Sequence, residues 1–118
     1  MSIWHLVRRD DFESCNDALF RPPSLDAEGF IHCTGNLDTL VAVANRFYVH
    51  WVGDVVALEI NPENVAAPIR WEAPSPAPPP GVDANISFPH IYGPLDTAAV
   101  VGVLQARRTP EGRYTGFE

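Results

Sequence analysis

The chain has 118 residues, 46% of them hydrophobic, and a formal net charge of −7. That length fits one domain, and that apolar content is enough for a core without disulfide or metal staples. The acidic balance argues against a large nucleic-acid footprint, which needs a basic face for the phosphates.

All eight basic residues are arginine, and one or two of them suffice for a small anionic ligand. Two cysteines, Cys15 and Cys33, are too few for a disulfide framework. The start, Met1-Ser2-Ile3-Trp4, lacks a basic region followed by an apolar stretch, and no apolar run approaches the roughly 20 residues that cross a bilayer. A cytoplasmic enzyme or binding domain with reduced thiols and no membrane contact is therefore expected.

In chain order, residues 2–8 predict a strand with Ile3, His5 and Val7 on one face and Trp4 and Leu6 on the other. Arg9 to Cys15 predicts a short helix with acids in its first turn. Residues 20–29 contain adjacent prolines, Pro22 and Pro23, and are expected to be loop. Phe30–Cys33 predicts a second strand, with Phe30, His32 and Thr34 on one face and Ile31 and Cys33 on the other. Thr34 or Asn36 then caps an amphipathic helix over about 37–49, whose stripe is Leu37, Leu40, Val41, Ala44, Phe47 and Tyr48.

Val55–Ile60 predicts a central strand, followed by a turn or single helical turn at Asn61-Pro62-Glu63-Asn64. Pro68–Glu72 predicts a short strand. Residues 73–85 are rich in proline and read as a surface loop or flap. Phe88–Tyr92 and Ala98–Arg107 predict further strands, and the polar stretch from Arg108 to Glu118 reads as a frayed tail. The domain is thus expected over 1–108, with 109–118 a flexible tail. Strands clustered after two helices of the N-terminal half predict an α+β fold rather than a doubly wound sheet.

Three of the four histidines lie in apolar, strand-like segments: Trp4-His5-Leu6, Ile31-His32-Cys33-Thr34 and Phe88-Pro89-His90-Ile91-Tyr92. An unpartnered histidine in such a setting costs roughly 1–3 kcal/mol. Each alone reads equally well as a histidine tied to a backbone carbonyl; three together point to one site built from several strands. His50, in a polar stretch, reads as surface. Glu72 is the carboxylate best situated for chemistry, with Trp71 beside it as a planar surface. Glu59 is its rival, and Asp26 and Glu28 read as solvated.

Three chemistries compete. Three histidines and Glu72 suit zinc, but no local His-x-x-x-His or Cys-x-x-Cys spacing supports a metal. Cys33 or Thr34 as a nucleophile needs a histidine base, and alternation puts Cys33 opposite His32. Recognition of a small polar ligand would use the histidines and Thr34 as hydrogen-bond partners, Trp71 and Tyr92 for stacking, and Arg21 or Arg46 for a phosphate.

The segments Trp4-His5-Leu6, Arg21-Pro22-Pro23-Ser24, Glu28-Gly29-Phe30-Ile31-His32-Cys33-Thr34, Asn45-Arg46-Phe47, Arg70-Trp71-Glu72 and Phe88-Pro89-His90-Ile91-Tyr92-Gly93-Pro94-Leu95 resemble, in order over residues 2–104, the small bacterial proteins grouped as domain of unknown function 952. The resemblance implies a fold similar to the ADP-ribosyltransferase catalytic domain, a split antiparallel two-sheet sandwich with an NAD cleft between the sheets. His5 then matches the first-strand histidine that holds the nicotinamide ribose, and His32 stands where a tyrosine stacks on nicotinamide. Glu72 is the nearest match to the catalytic acid. The implied activity is an NAD- or ADP-ribose-related transferase or hydrolase, with NAD as substrate, His5, His32, Glu72 and His90 as catalytic candidates, and Arg21, Thr34, Arg46, Trp71 and Tyr92 as ligand-binding candidates. A non-catalytic nucleotide or small-molecule module and a histidine metal site remain the alternatives.

Overall fold

Alternation along the first strand sets the layers. In the computed structural model, which describes residues 1–73 and 86–118, β1 (Ile3–Arg8) pairs antiparallel with β4 (Val55–Ile60) so that Ile3, His5 and Val7 face Ile60, Leu58 and Val56. β8 (Val100–Arg108) pairs with the other edge of β4, and β9 (Tyr114–Phe117) with β8, giving the order β1-β4-β8-β9. β4 is apolar at every position but Glu59, as a strand covered on both faces must be. Glu59 itself is partly buried and accepts a hydrogen bond from Ser2 Oγ at 2.7 Å.

A second antiparallel sheet has the order β3-β6-β5, from β3 (Ile31–His32), β6 (Phe88–Ile91) and β5 (Ile69–Glu72). Its Ile31, Cys33 and Ile91 pack against Ile3, Val7, Val56, Leu58 and Ile60 of the first sheet. Burying each of these aliphatic side chains is worth about 1.5–3 kcal/mol. The other face of the first sheet, through Leu6, Val55, Ala57 and Ala106, is covered by Leu40 and Ala44 of α3 (Leu37–Phe47) and by Tyr114. The layers are therefore helix, sheet and sheet, an α+β arrangement of antiparallel sheets. A two-stranded pair, β2 (Leu19–Phe20) with β7 (Leu95–Asp96), lies beside them.

Trp4 and Thr34 join the sheets by exchanging backbone hydrogen bonds of 2.9 and 2.8 Å. Asn36, rather than Thr34, caps α3, its side chain accepting from the Thr39 N–H at 2.7 Å.

Three expectations are corrected. The described residues hold three helices: α1 (Arg9–Glu13), α3, and an unexpected α2 (Pro23–Glu28) where adjacent prolines predicted loop. Pro22 occupies the extended cap and Pro23 the first helical position, where a missing N–H removes no helical bond and the fixed φ suits the turn. Gly29, at φ 84°, ends α2 in the left-handed conformation. The expected tail at 109–118 contains β9, whose polar, glycine-bearing composition hid Tyr114, 1% exposed. β8 starts at Val100, because Thr97–Ala99 forms a 3₁₀ turn. The proline-rich segment at 73–85 lies outside the described residues apart from Ala73. Among the described residues no helix is long and apolar enough to cross a membrane.

Tyr114 locks β9 to α3. Its hydroxyl donates to the Tyr48 carbonyl at 2.9 Å, and its backbone exchanges bonds with the Asn45 side chain at 2.7 and 2.9 Å. Tyr114→Ala is expected to cost about 3–5 kcal/mol in urea denaturation, and Tyr114→Phe about 1–3 kcal/mol, because it leaves the Tyr48 carbonyl unpaired. An unchanged midpoint after removal of residues 109–118 would show that β9 is outside the cooperative unit.

Candidate functional site

Beyond the Trp4–Thr34 bridge, β1 and β3 are no longer paired with each other, and a cavity of about 560 Å³ opens between them. Strand residues His5, His32, Thr34 and His90 line it, with Ser24 and Glu28 from α2 on one side and Phe47, Tyr48 and Trp51 on the other. By alternation His5 shares the face of Ile3 and Val7, whereas His32 and His90 stand directly opposite each other on the face away from Ile31 and Ile91. The split brings both faces to one cavity.

His5 is 5% exposed, and its Nδ1 lies 2.6 Å from the His32 carbonyl oxygen. A carbonyl only accepts, so Nδ1 carries the proton and Nε2 keeps its lone pair. Burial lowers the pKa to about 4, opposed by the carbonyl bond and aided by the nearness of the His32 ring. At neutral pH, His5 is an uncharged imidazole of fixed tautomer.

His90 is organised from behind. Its Nδ1 donates to Glu72 Oε1 at 2.8 Å, and the Tyr92 hydroxyl donates to the same oxygen at 2.5 Å. The Tyr92 bond, then the His90 bond, hold the Glu72 carboxyl below its ordinary value; the Glu72 bond holds the Tyr92 phenol above its own. Arg70 lies 5.1 Å from the Tyr92 ring centre. Phe30 stacks on His90 with ring centres 4.3 Å apart and also contacts the His32 and Tyr92 rings. His32 Nε2 pairs with Glu28, four residues earlier across the Gly29 turn.

His5, His32, Thr34 and His90 thus share a cavity as the sequence suggests. Thr34 is 2% exposed, and its hydroxyl donates to the Trp4 carbonyl at 3.4 Å. Glu72 and Tyr92 do not line the cavity; Glu72 holds His90, and Tyr92 bonds Glu72. Trp71 lies on the opposite face of β5 from Glu72, its indole against Gly35, so close that a Cβ there would fall 3.2 Å from the ring. Arg46 is exposed beside Phe47, and Arg21 belongs to a separate hollow with Asp11 and Cys15, so neither guanidinium lines the cavity. Cys33 packs into the core between the sheets, and burial pushes its thiol well above the usual range, which removes it as a nucleophile. Among the described residues no three His, Cys, Asp or Glu side chains converge as a metal site.

Sequence reasoning missed Glu28, Phe30, Arg70 and the aromatic wall. The Glu28–His32 spacing of four was a usable signal, hidden by reading 20–29 as loop. Two buried polar atoms have no partner among the described residues, Trp4 Nε1 and Ser24 Oγ, and Ser24 lines the cavity.

The His5 shift has a definite sign. An unfolded imidazole takes a proton near pH 6.5 and the buried one only near 4, so folding stability is complete above about 6.5 and falls as pH drops toward 4. Urea denaturation is expected to lose roughly 3 kcal/mol across that window, and His5→Gln to flatten the slope there. Glu72, whose folded pKa is lowered, adds its loss only below the ordinary carboxylate range. A His5 resonance titrating near 6.5 by NMR would contradict this account.

Two crystal structures of protein CC0527 from Caulobacter crescentus, a structural genomics target, share the fold; one is a double mutant. Each superposes with a TM-score of 0.75 at 19% identity, covering 98% of this chain and 94% of the other. No curated protein matches the chain. A family model described as protein of unknown function (DUF952) matches residues 6–103, and the chain belongs to that family.

Proposed function

We propose that the cavity is an active site in which His5 and His90 carry proton transfers on a small, ring-bearing molecule. The observation that carries this reading is His5: an uncharged imidazole, with its proton committed to the His32 carbonyl, that lines the cavity and keeps an unprotonated Nε2 lone pair at neutral pH. The Glu72–His90 pair supplies a second, oriented imidazole. Tyr48 and Trp51, with ring centres 4.3 Å apart, form an aromatic wall for a planar ring, and Ser24 Oγ is free to bond a hydroxyl.

The resemblance to ADP-ribosyltransferases makes NAD the first molecule to test, through its nicotinamide–ribose half. Among the described residues no guanidinium lines the cavity, so the diphosphate would lie outside it. In that reaction the bond from the ribose to nicotinamide breaks with its electron pair leaving on nicotinamide. Water or an acceptor hydroxyl forms the new bond to the sugar carbon, and His5 Nε2 takes its proton. Glu28, which lines the cavity, faces the positive charge that develops on the sugar; Glu72 acts only through His90. A binding module without turnover is the second reading, favoured by the engagement of Glu28 with His32.

Calorimetric titration of NAD and ADP-ribose, paired with an assay for released nicotinamide, tests both. Wild type is expected to bind and release, His5→Ala to lose about 100-fold or more in turnover, and the acid limb of the rate profile to fall near pH 4, where His5 gains its proton. Binding without release favours the module. No binding at millimolar NAD removes the NAD reading.

A further inference from the structure

One end of the molecule combines exposed apolar side chains with arginines that pair with no carboxylate among the described residues, of which Arg108 also donates to the Gly112 and Val49 carbonyls. Phe47, Val49 and Val52 are 40%, 41% and 85% exposed, three of the eight exposed large hydrophobics among the described residues, and all within six positions. Arg46 lies 5.1 Å from the Phe47 ring centre and Arg8 5.3 Å from that of Trp51, while Arg108 Nη2 donates to the Val49 carbonyl at 3.0 Å. The turn between β8 and β9 packs here too: a Cβ on Gly112 would fall 2.5 Å from the Val49 oxygen, and Arg113 is the next residue. Among the described residues Arg8, Arg46 and Arg108 form no ion pair with a carboxylate, whereas Arg9 and Arg107 do. Of the acids in these segments, Asp54 is tied to Arg9 and Glu111 sits at the hairpin tip.

We propose that this surface docks an acidic polypeptide segment with an apolar anchor. Arginine and aromatic side chains around exposed aliphatics are the composition of protein-binding hot spots. Guanidiniums already placed over rings lose little freedom on meeting a carboxylate. The chain as a whole carries −7. It is therefore repelled by an anionic bilayer plane, which faces much of its surface, whereas a short acidic segment meets only the patch. Phe47 and Trp51 belong to both the patch and the cavity wall, so a docked segment lies at the cavity mouth. The surface shares these two rings with the cavity, whatever molecule the cavity holds.

Fluorescence anisotropy with an end-blocked, labelled peptide of aspartates and glutamates around a central Leu-Phe pair reads this surface directly. Saturable binding is expected, weakened about tenfold by salt near 0.5 M and about tenfold by Arg46→Glu or by Val52→Asp. Arg21→Glu, in the separate hollow, should leave it unchanged. Both patch residues are exposed, so the variants should remain folded; Val52→Asp should unfold at the wild-type temperature and Arg46→Glu slightly below it, because the reversal sets an acid in the last turn of α3. The proposal is overturned by absence of binding at millimolar peptide, by equal affinity in the patch variants, or by equal binding of a version with lysine for each acid. Sedimentation with phosphatidylglycerol vesicles in preference to the peptide would also overturn it, in favour of a lipid surface.

Discussion

Two backbone hydrogen bonds between Trp4 and Thr34 hold the sheets edge to edge, and the cavity exists because that pairing stops after one bridge. Had β1 and β3 continued as a ladder, His5 and His32 would lie on opposite faces of one sheet with no space between them. Instead the His5 ring bonds the carbonyl that the ladder leaves unpaired, at His32. A buried backbone acceptor must find a donor, and here the donor is a side chain that thereby loses its freedom to choose a tautomer. The bond that closes the end of the pairing also prepares the imidazole.

The strand content was legible wherever burial was two-sided or alternating. Val55–Ile60 has the same bounds in sequence and structure, and Ile3, His5 and Val7 share a face as their spacing requires. What was not legible depended on a single local choice. Pro22-Pro23 breaks a helix interior but suits its first turn, and only the downstream Gly29 distinguishes the two. Tyr114 looks like one aromatic in a polar tail until the Thr109–Arg113 turn folds it back on β8.

The site divides the same way. Histidine in an apolar strand is costly enough to be a signal by itself, so His5, His32 and His90 were findable. Their partners were not, because side-chain direction is set by pairing register. His32 opposes His90, and Arg70 opposes His90 from β5, which puts Glu72 on the histidine face and turns Trp71 to the other. Arg21 and Arg46 sit beside motif residues in sequence, but Arg46 lies on the exposed side of α3 and Arg21 lines the hollow beside Cys15, so neither lines the cavity.

Charge is sorted by partner type around the cavity, whereas Arg9 and Arg107 pair with carboxylates elsewhere on the surface. Carboxylates hold imidazoles, as Glu28 with His32 and Glu72 with His90, while arginines lie on aromatic faces, as Arg8 on Trp51, Arg46 on Phe47, Arg70 on Tyr92 and Arg108 on Tyr114. A guanidinium over a ring keeps its donors in the ring plane's surroundings available to an oxygen, which an ion-paired one does not. Among the described residues the sorting leaves the cavity wall without an arginine and concentrates guanidiniums outside it, next to Phe47 and Trp51. A molecule entering the cavity meets histidines, aromatics and carboxylates; one approaching from outside first meets arginines. Because Trp51 lies against Tyr48 and beneath Arg8, any contact that shifts the outer guanidinium bears on the inner wall through a single ring.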